Sequence, residues 1–225
     1  MTDITVYKPA GLTFVSIDGT PPVIPPVANT YYVSFSTGLD TNPGTLALPW
    51  KTLNKVYLAR ATFTPGTQVL LKCGDVWKET FNLINHAGTT AGQIVYGSYG
   101  TGALPLIDAE KIRNSGIYIN NASYLTIKDI KVINAKYDGV YIVTASGGDI
   151  VGIKVQKVVS EAAGRYGFFI ESSPGLRWVE NIEYRDCFAH MTGVGGLGLW
   201  STGFYAYRVT DRAAGVHYYN CKSTY

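Results

Sequence analysis

The sequence has few charged, cysteine and histidine residues, and each shortage narrows the range of functions. Only 16% of the residues are Asp, Glu, Lys or Arg, against about a quarter in ordinary soluble domains. The net charge of +3 is small, and no run of Lys and Arg forms a basic stripe. We therefore predict no nucleic-acid partner. The three cysteines lack CxxC spacing and the three histidines lie far apart, so no metal site is predicted.

Long apolar runs are also missing. No run approaches the 18 or more residues of a membrane-spanning helix. The first residues, "MTDITVYKPAGLTF", lack the basic start and the uninterrupted apolar stretch of a signal peptide. We predict no membrane span and find no signal peptide in the given chain. What the chain does have is 25 Gly, 17 Tyr and 46% hydrophobic residues, a mixture that favours strands and turns around a sizeable core.

Two parts of the chain differ in composition. Residues 1–30 contain "TPPVIPPVANT", whose paired prolines favour polyproline II and cannot lie inside a sheet. We interpret them as an N-terminal segment followed by a stiff spacer, and residues 31–225 as the main domain. Early in that domain Leu53, Val56, Tyr57 and Arg60 follow helical spacing, with Pro49 placed in the first turn. This is the one helix that the sequence predicts.

Beyond residue 65, short β-rich runs recur with a regular period. Four segments align: "LTIKDIKVIN" from Leu125, "IKVQKVVSEA" from Ile153, "IEYRDCFAHM" from Ile182 and "VHYYNCKSTY" from Val216. Their starts are 28, 29 and 34 residues apart, and repeats of about 20–50 residues indicate a solenoid, a propeller or an array. Each repeat has no room for a helix and is too short for a four-stranded blade. We therefore predict coils of three short parallel strands that stack on one another.

The alignment sorts the side chains into buried and outward columns. Three columns are apolar or aromatic throughout: Leu125, Ile153, Ile182 and Val216; Ile127, Val155, Tyr184 and Tyr218; Ile130, Val158, Cys187 and Cys221. A second recurrence, "GIYI" at 116, "GVYI" at 139, "GFFI" at 167 and "GLGL" at 196, keeps nearly the same period.

The opening of the main domain resembles a known family. The segments "YYVSFSTGLDTNPGTLALPWKTLNKV", "GDVWKETFNL" and "GQIVYGSYGTGALPLIDA" are similar to the first coils of pectate-lyase-like right-handed parallel β-helix proteins. The resemblance implies an all-β fold, a right-handed parallel β-helix with one N-terminal capping α-helix. That family includes secreted polysaccharide lyases and hydrolases, and the trimeric tailspikes with which bacteriophages bind and cut surface polysaccharide. The resemblance marks the fold and assigns no catalytic residue.

Outward columns between the buried ones supply the candidate substrate-binding residues Lys154, Lys157, Glu183, Arg185 and Asp186. One interpretation is structural: pairs such as Lys154 with Glu183 form ion-pair ladders that keep the sheet soluble. The other is a polysaccharide groove, because charges repeat along parallel strands on the scale of sugar units. Hydrolysis needs two carboxyl groups, for which Glu183 and Asp186 are predicted on one strand. β-Elimination needs a base and a cation, and Lys154, Lys157 and Arg185 are the available types.

Other signals carry less weight. "GVGGLG" at 193–198 satisfies G-x-G-x-x-G, but no helix follows it, so we interpret it as a loop. His190 beside it is a candidate general base or a residue at the core edge. Cys187 and Cys221 share an inward column, where stacked free thiols are preferred over a disulfide. Several tyrosines, among them Tyr31, Tyr32, Tyr205, Tyr207, Tyr218, Tyr219 and Tyr225, offer faces for sugar stacking.

Together these features predict a β-helix of a phage tailspike or adhesin that binds polysaccharide. Whether it also depolymerises the polysaccharide is left open. The alternative is a secreted polysaccharide lyase or hydrolase, and a third class is a purely structural solenoid. The expected partner is extracellular polysaccharide, with a homotrimer for the tailspike and an extracellular or virion-associated location. No cofactor is predicted, and a need for calcium is left open.

The last aligned segment stops at Tyr225 before its coil closes. A terminal coil needs a cap over its buried layer. We therefore expect further coils, and any principal active site, beyond residue 225.

Overall fold

The structure is a computed structural model that describes residues 29–144, 148–172, 178–190, 202–207 and 215–224. The predicted N-terminal segment and almost all of the spacer lie outside the described residues. So does the "GVGGLG" segment.

The described residues contain twenty strands, β1–β20, one α-helix and one short 3₁₀ helix. All strand pairs are parallel and bring together successive coils, as the repeat predicted. Three long sheets and one small pair result. We number the long sheets in the order in which each coil contributes to them.

The first sheet has seven strands: β1 (Thr30–Val33), β2 (Gln68–Lys72), β5 (Ile94–Tyr99), β8 (Leu125–Lys128), β12 (Lys154–Gln156), β16 (Ile182–Arg185) and β19 (Val216–Tyr219). The second has six: β3 (Val76–Trp77), β6 (Leu106–Asp108), β9 (Lys131–Ile133), β13 (Val159–Glu161), β17 (Phe188–His190) and β20 (Lys222–Thr224). The third has five: β4 (Phe81–Ile84), β7 (Ser115–Asn120), β10 (Asp138–Thr144), β14 (Tyr166–Ser172) and β18 (Thr202–Tyr207). The small pair is β11 (Ile150–Val151) with β15 (Val179–Glu180).

The core consists of the inward columns of these sheets. The register pairs Ile127 with Val155, Val155 with Tyr184 and Tyr184 with Tyr218, which confirms the alignment of the predicted column. Like side chains therefore stack at the strand spacing of about 4.8 Å. The prediction that the whole column is buried is wrong at Tyr218, which is 43% exposed. The rings of Phe168 and Phe204 in the third sheet lie 4.7 Å apart and 4° from parallel.

Glycines mark the corner at which each coil enters the third sheet. A Cβ at Gly116 would collide with the side chain of Val132, and one at Gly139 with the hydroxyl of Ser160, both on the second sheet. The recurrence "GIYI", "GVYI", "GFFI" is therefore a packing requirement of this corner. Its fourth member was assigned wrongly: Phe204 pairs with Phe168, so the next repeat is "GFYA" at 203–206, and "GLGL" lies outside the described residues.

The predicted helix is confirmed as α1 (Leu53–Ala59), and the 3₁₀ helix Arg60–Thr62 follows it. The helix buries Leu53 and Val56, and Thr52 is its N-cap, accepting from the Lys55 N–H at 3.0 Å. Pro49 therefore lies before the helix and not in its first turn. Asp40 fixes the cap, because its carboxylate accepts from the Thr52 hydroxyl at 2.7 Å.

Candidate functional site

The residues predicted from the sequence lie on and beside the outward face of the first sheet. Lys154 pairs in register with Glu183, and Gln156 pairs with Arg185. These four side chains form a polar face, which is how we refer to them below. Lys128 precedes them in the same outward row, and its side chain would contact a Cβ added at Gly97.

Glu183 accepts hydrogen bonds from two other side chains of the polar face. Its Oε1 accepts from Arg185 Nε at 2.9 Å and from Gln156 Nε2 at 3.2 Å. The bond from Arg185 holds the pKa of the Glu183 carboxyl below its usual range, and the nearby charge of Lys154 acts in the same direction. Glu183 is therefore ionised at neutral pH and suits a base or nucleophile better than a general acid. Its ion pair runs along its own strand, to Arg185, rather than to Lys154 as a ladder would require.

Lys157 and Asp186 are not on these strands. Each lies one residue past a strand end, in the left-handed backbone region, with φ of 51° and 54°. Asp129 and Asn220 occupy the same bend in neighbouring coils, with φ of 55° and 48°. Asn220 Nδ2 donates to Asp186 Oδ1 at 2.6 Å. The prediction that Glu183 and Asp186 share a strand is wrong, because the chain turns between the first and second sheets at Asp186. That the five residues bind substrate stays a prediction.

The lesser signals resolve into structural roles. His190 stacks on Phe188 and bonds through Nδ1 to the Thr224 hydroxyl at 2.8 Å. Cys73, Cys187 and Cys221 are free thiols, and burial raises the pKa of Cys187 to about 12.

Within the described ranges, no group of three His, Cys, Asp or Glu side chains is placed to hold a metal ion. No helix among those same residues is long and apolar enough to cross a membrane.

The outward face of the third sheet carries a row of aromatic side chains, of which the sequence analysis named only Tyr205. Tyr118, Tyr141, Phe169 and Tyr205 lie in register on four successive strands, and we call them the aromatic ladder. Tyr141 and Phe169 are stacked, with centroids 5.0 Å apart and planes 10° from parallel. Phe169 and Tyr205 are stacked at 5.7 Å and 17°, whereas Tyr118 and Tyr141 lie 5.6 Å apart and are tilted by 41°.

Polar neighbours hold the ladder in place. The Tyr141 hydroxyl donates to Glu171 Oε2 at 2.7 Å, and Asn120 Nδ2 donates to the Tyr118 hydroxyl at 3.1 Å. Burial, followed by the bond to Glu171, raises the pKa of Tyr141 above its usual value. Tyr141 is therefore protonated at neutral pH, so it acts as a hydrogen-bond donor and not as a base.

An ion pair between the half-buried Arg165 and the buried Asp138 supports the middle of the ladder. Arg165 lies over the Phe169 ring, 4.8 Å from its centroid. Its Nε and Nη2 donate to the two carboxylate oxygens of Asp138 at 3.0 and 2.6 Å. Asp138 is only 1% exposed, and burial raises the pKa of its carboxyl even though Arg165 opposes the shift. Asp138 therefore positions Arg165 and is too deeply buried to reach a substrate.

A cleft of about 510 Å³ opens at the first ring of the ladder. It is lined by polar side chains and two rings, with one exposed aliphatic side chain: Thr80, Asn82, Ile112, Arg113, Asn114, Ser115, Tyr118 and Tyr141. This volume is within the range of roughly 300–1,000 Å³ that is typical of small-ligand sites. The sequence did hold a signal for this site, since the third residues of "GIYI", "GVYI" and "GFFI" are Tyr118, Tyr141 and Phe169. The sequence analysis used this recurrence only for its period.

Comparison with known proteins supports the architecture. The model of the family described as "Pel9A-like, right handed beta helix region" matches residues 31–225. The chain belongs to this Pel9A-like β-helix family. The resemblance predicted from the first coils is confirmed, as is the all-β, right-handed parallel β-helix.

The individual relatives have low sequence identity to this Pel9A-like chain, and each of them is longer than it. A lacto-N-biosidase of Bifidobacterium longum subsp. longum is 26% identical over 134 residues, which cover 48% of this chain and 8% of that protein. The crystal structure of a GH136 lacto-N-biosidase from Eubacterium ramulus superposes with a TM-score of 0.55 at 19% identity. The superposition covers 87% of this chain and 40% of that one. A rhamnogalacturonan lyase gives a TM-score of 0.50 at 16% identity, over 86% and 56% of the two chains. These likenesses show the fold alone.

Proposed function

We propose that this β-helix binds polysaccharide on the outward face of its third sheet and belongs to a protein that degrades polysaccharide. The observation that carries the proposal is the aromatic ladder with a polar cleft at its end. Sugar-binding sites combine ring faces, which contact C–H groups, with amides and hydroxyls that bond the sugar hydroxyls. The third sheet presents both where the cleft opens, beside Tyr118 and Tyr141.

The names of the relatives support a degrading enzyme, since they are a lacto-N-biosidase and a lyase. A hydrolase needs one protonated and one ionised carboxyl group, and Glu171 is the carboxylate beside the ladder. A lyase needs a base next to a cation, and on the polar face Glu183 and Arg185 are such a pair. The polar face thus has the groups that a lyase needs, whereas Glu171 is one of the two carboxyl groups that a hydrolase needs. A product assay distinguishes a lyase from a hydrolase.

A phage tailspike or adhesin, virion-associated and trimeric, is the second candidate. The proline-rich segment between residues 20 and 30 supports it, because a stiff spacer suits attachment of a binding domain to a particle. A stable trimer in analytical ultracentrifugation is the expected result for a tailspike. A monomer is the expected result for the secreted enzyme.

The test of function is incubation with a panel of bacterial capsular, algal and pectic polysaccharides. New ends that absorb in the ultraviolet identify a lyase, and new reducing ends without that absorbance identify a hydrolase. Retention on an immobilised polymer without cleavage identifies a binding domain. If no polymer on the panel is bound or cleaved, the proposal is wrong.

Two variants then decide which face binds the polymer. Tyr141→Ala removes a ring that lines the cleft, and we expect affinity to fall about tenfold, the upper end of what one aromatic contact contributes. Arg185→Ala on the polar face is the matched comparison and should leave affinity unchanged. The opposite result would transfer binding to the polar face and to the residues predicted from the sequence.

A further inference from the structure

The stacking of the aromatic ladder determines which ring faces a ligand can reach. Tyr141, Phe169 and Tyr205 are nearly parallel and lie about one coil spacing apart, whereas Tyr118 is tilted by 41° from Tyr141. The faces of the three parallel rings therefore point along the solenoid axis, and Phe169 is covered on both faces. Phe169, which is only 4% exposed, offers no free face for a sugar to stack on.

Tyr118 differs because it is the first ring. Its register partner on the preceding strand is Asn82, which is not aromatic. The aromatic ladder therefore ends at Tyr118 on the side of β4, where the preceding coil supplies no ring. The cleft lies at this point, since both Asn82 and Tyr118 line it. The cleft therefore lies where an aromatic side chain at position 82 would extend the ladder by one ring.

The remaining lining defines the chemistry of the ligand. Asn82 and Asn114 contribute amides, and Thr80 and Ser115 contribute hydroxyls. The one charged lining residue is Arg113, and its guanidinium pairs with Glu110 at 2.6 Å. Glu110 also pairs with Lys78 at 2.9 Å. The positive charge of Arg113 is thus directed to Glu110, whereas the amides and hydroxyls match a sugar with neutral hydroxyl groups.

We infer that the cleft is a subsite for one neutral pyranose residue, whose ring stacks on Tyr118 and continues the aromatic ladder. The inference rests on the proposed function, because it names the sugar unit that the third-sheet face takes. It also assigns the rest of the ladder a supporting role, in which each ring fixes the angle of the next.

The decisive variant is Asn82→Tyr. Because Asn82 is in register with Tyr118, a tyrosine there would stack on it and fill the cleft with the protein's own ring. We expect the affinity for the polymer that the wild-type protein binds to fall at least about tenfold. The thermal midpoint should be unchanged or raised. Loss of binding without loss of stability indicates that the cleft is filled, whereas loss of both indicates that the variant is misfolded. Asn82→Ala is the matched control, since it leaves the cleft open, and binding should fall only a few-fold, as for one lost hydrogen bond.

Small sugars test the ligand class. Methyl glycosides of neutral hexoses should give saturation-transfer NMR signals with the wild-type protein, weaker signals with Tyr118→Ala and none with Asn82→Tyr. Methyl glycosides of uronic acids should give weaker signals than the neutral ones. Stronger signals from the uronic acids would contradict the inference that the subsite binds a neutral sugar.

Failure of this inference and failure of the proposed function look different. If wild type and Asn82→Tyr bind polymer equally well, the subsite is wrong and the polysaccharide proposal stands. If the wild-type protein binds neither a polymer of the panel nor any methyl glycoside, both are wrong.

Discussion

His86 and Tyr96 form a small polar pair at the edge of the core. The Tyr96 hydroxyl is within hydrogen-bond distance of His86 Nε2, and His86 Nδ1 lies 3.3 Å from the carbonyl of Ile84. A carbonyl only accepts, so Nδ1 carries the proton and the neutral ring accepts from Tyr96 at Nε2. Burial lowers the pKa of His86, and the charge of Arg60 acts in the same direction. The folded protein therefore favours neutral His86.

The pair makes stability depend on pH. The pKa of His86 is lower in the folded chain than the value of about 6.5 in the unfolded chain. As pH falls through that range, the unfolded chain binds the proton first, so stability is lost on the acid side. We expect the thermal midpoint of the wild type to fall between about pH 7.5 and 5.5. His86→Gln bonds similarly without titrating and should lose less over the same interval. Parallel curves for the two proteins would contradict this account.

Bends in the left-handed backbone region are what close the coils between sheets. At the bend after the first sheet the chain uses Asp129, Lys157, Asp186 and Asn220 in successive coils. Asp and Asn tolerate this conformation because their short polar side chains bond locally. Lys157 has no such compensation. It therefore carries a strain that its neighbours in the column largely avoid.

Lys157→Asn should relieve that strain. The Lys157 N–H bond to the Arg185 carbonyl, 2.9 Å long, does not involve the side chain and is expected to remain. We expect stabilisation of about 0.5–1 kcal/mol, or roughly 1–3 °C in the thermal midpoint. Lys154→Asn is the control, since that residue is exposed on a strand, where Asn is unfavourable. A midpoint that falls for Lys157→Asn as it does for the control would show that the bend does not strain Lys157.

Within the described residues the strands of each coil pair with those of the neighbouring coils, so the first described coil needs a cover. Trp50 supplies much of it. Its main chain bonds Tyr32 and Ser34 of the β1 region at 2.9 and 2.8 Å, and its ring stacks on Tyr31 with centroids 4.5 Å apart. Trp50 is only 4% exposed, and together with Gly44, whose carbonyl accepts from the Tyr32 N–H at 2.8 Å, it covers the edge of β1.

Trp50→Ala should therefore open the solenoid from this end. Loss of a buried tryptophan costs about 3–5 kcal/mol, and the uncovered strand edge promotes association. We expect a lower thermal midpoint, concentration-dependent aggregation, and hydrogen exchange that rises first in β1 and β2. Leu48→Ala is the control on the same segment, because Leu48 is 52% exposed and should change little. Uniform loss of protection along the chain would mean that the coils do not unfold from the end.

The sequence by itself determined the solenoid. The buried columns had to repeat because each coil can bury its apolar side chains only against the coil beside it. The period and alternation were therefore visible at Ile127, Val155 and Tyr184 without coordinates. Tertiary structure alone decided which partners the charged and aromatic side chains have. Lys157 and Asp186 left the strand because the backbone turns there, and Glu183 paired with Arg185 rather than with Lys154. The cleft depends on Asn82, a residue that no periodic pattern marks, because a ligand site is formed where the repeat is interrupted.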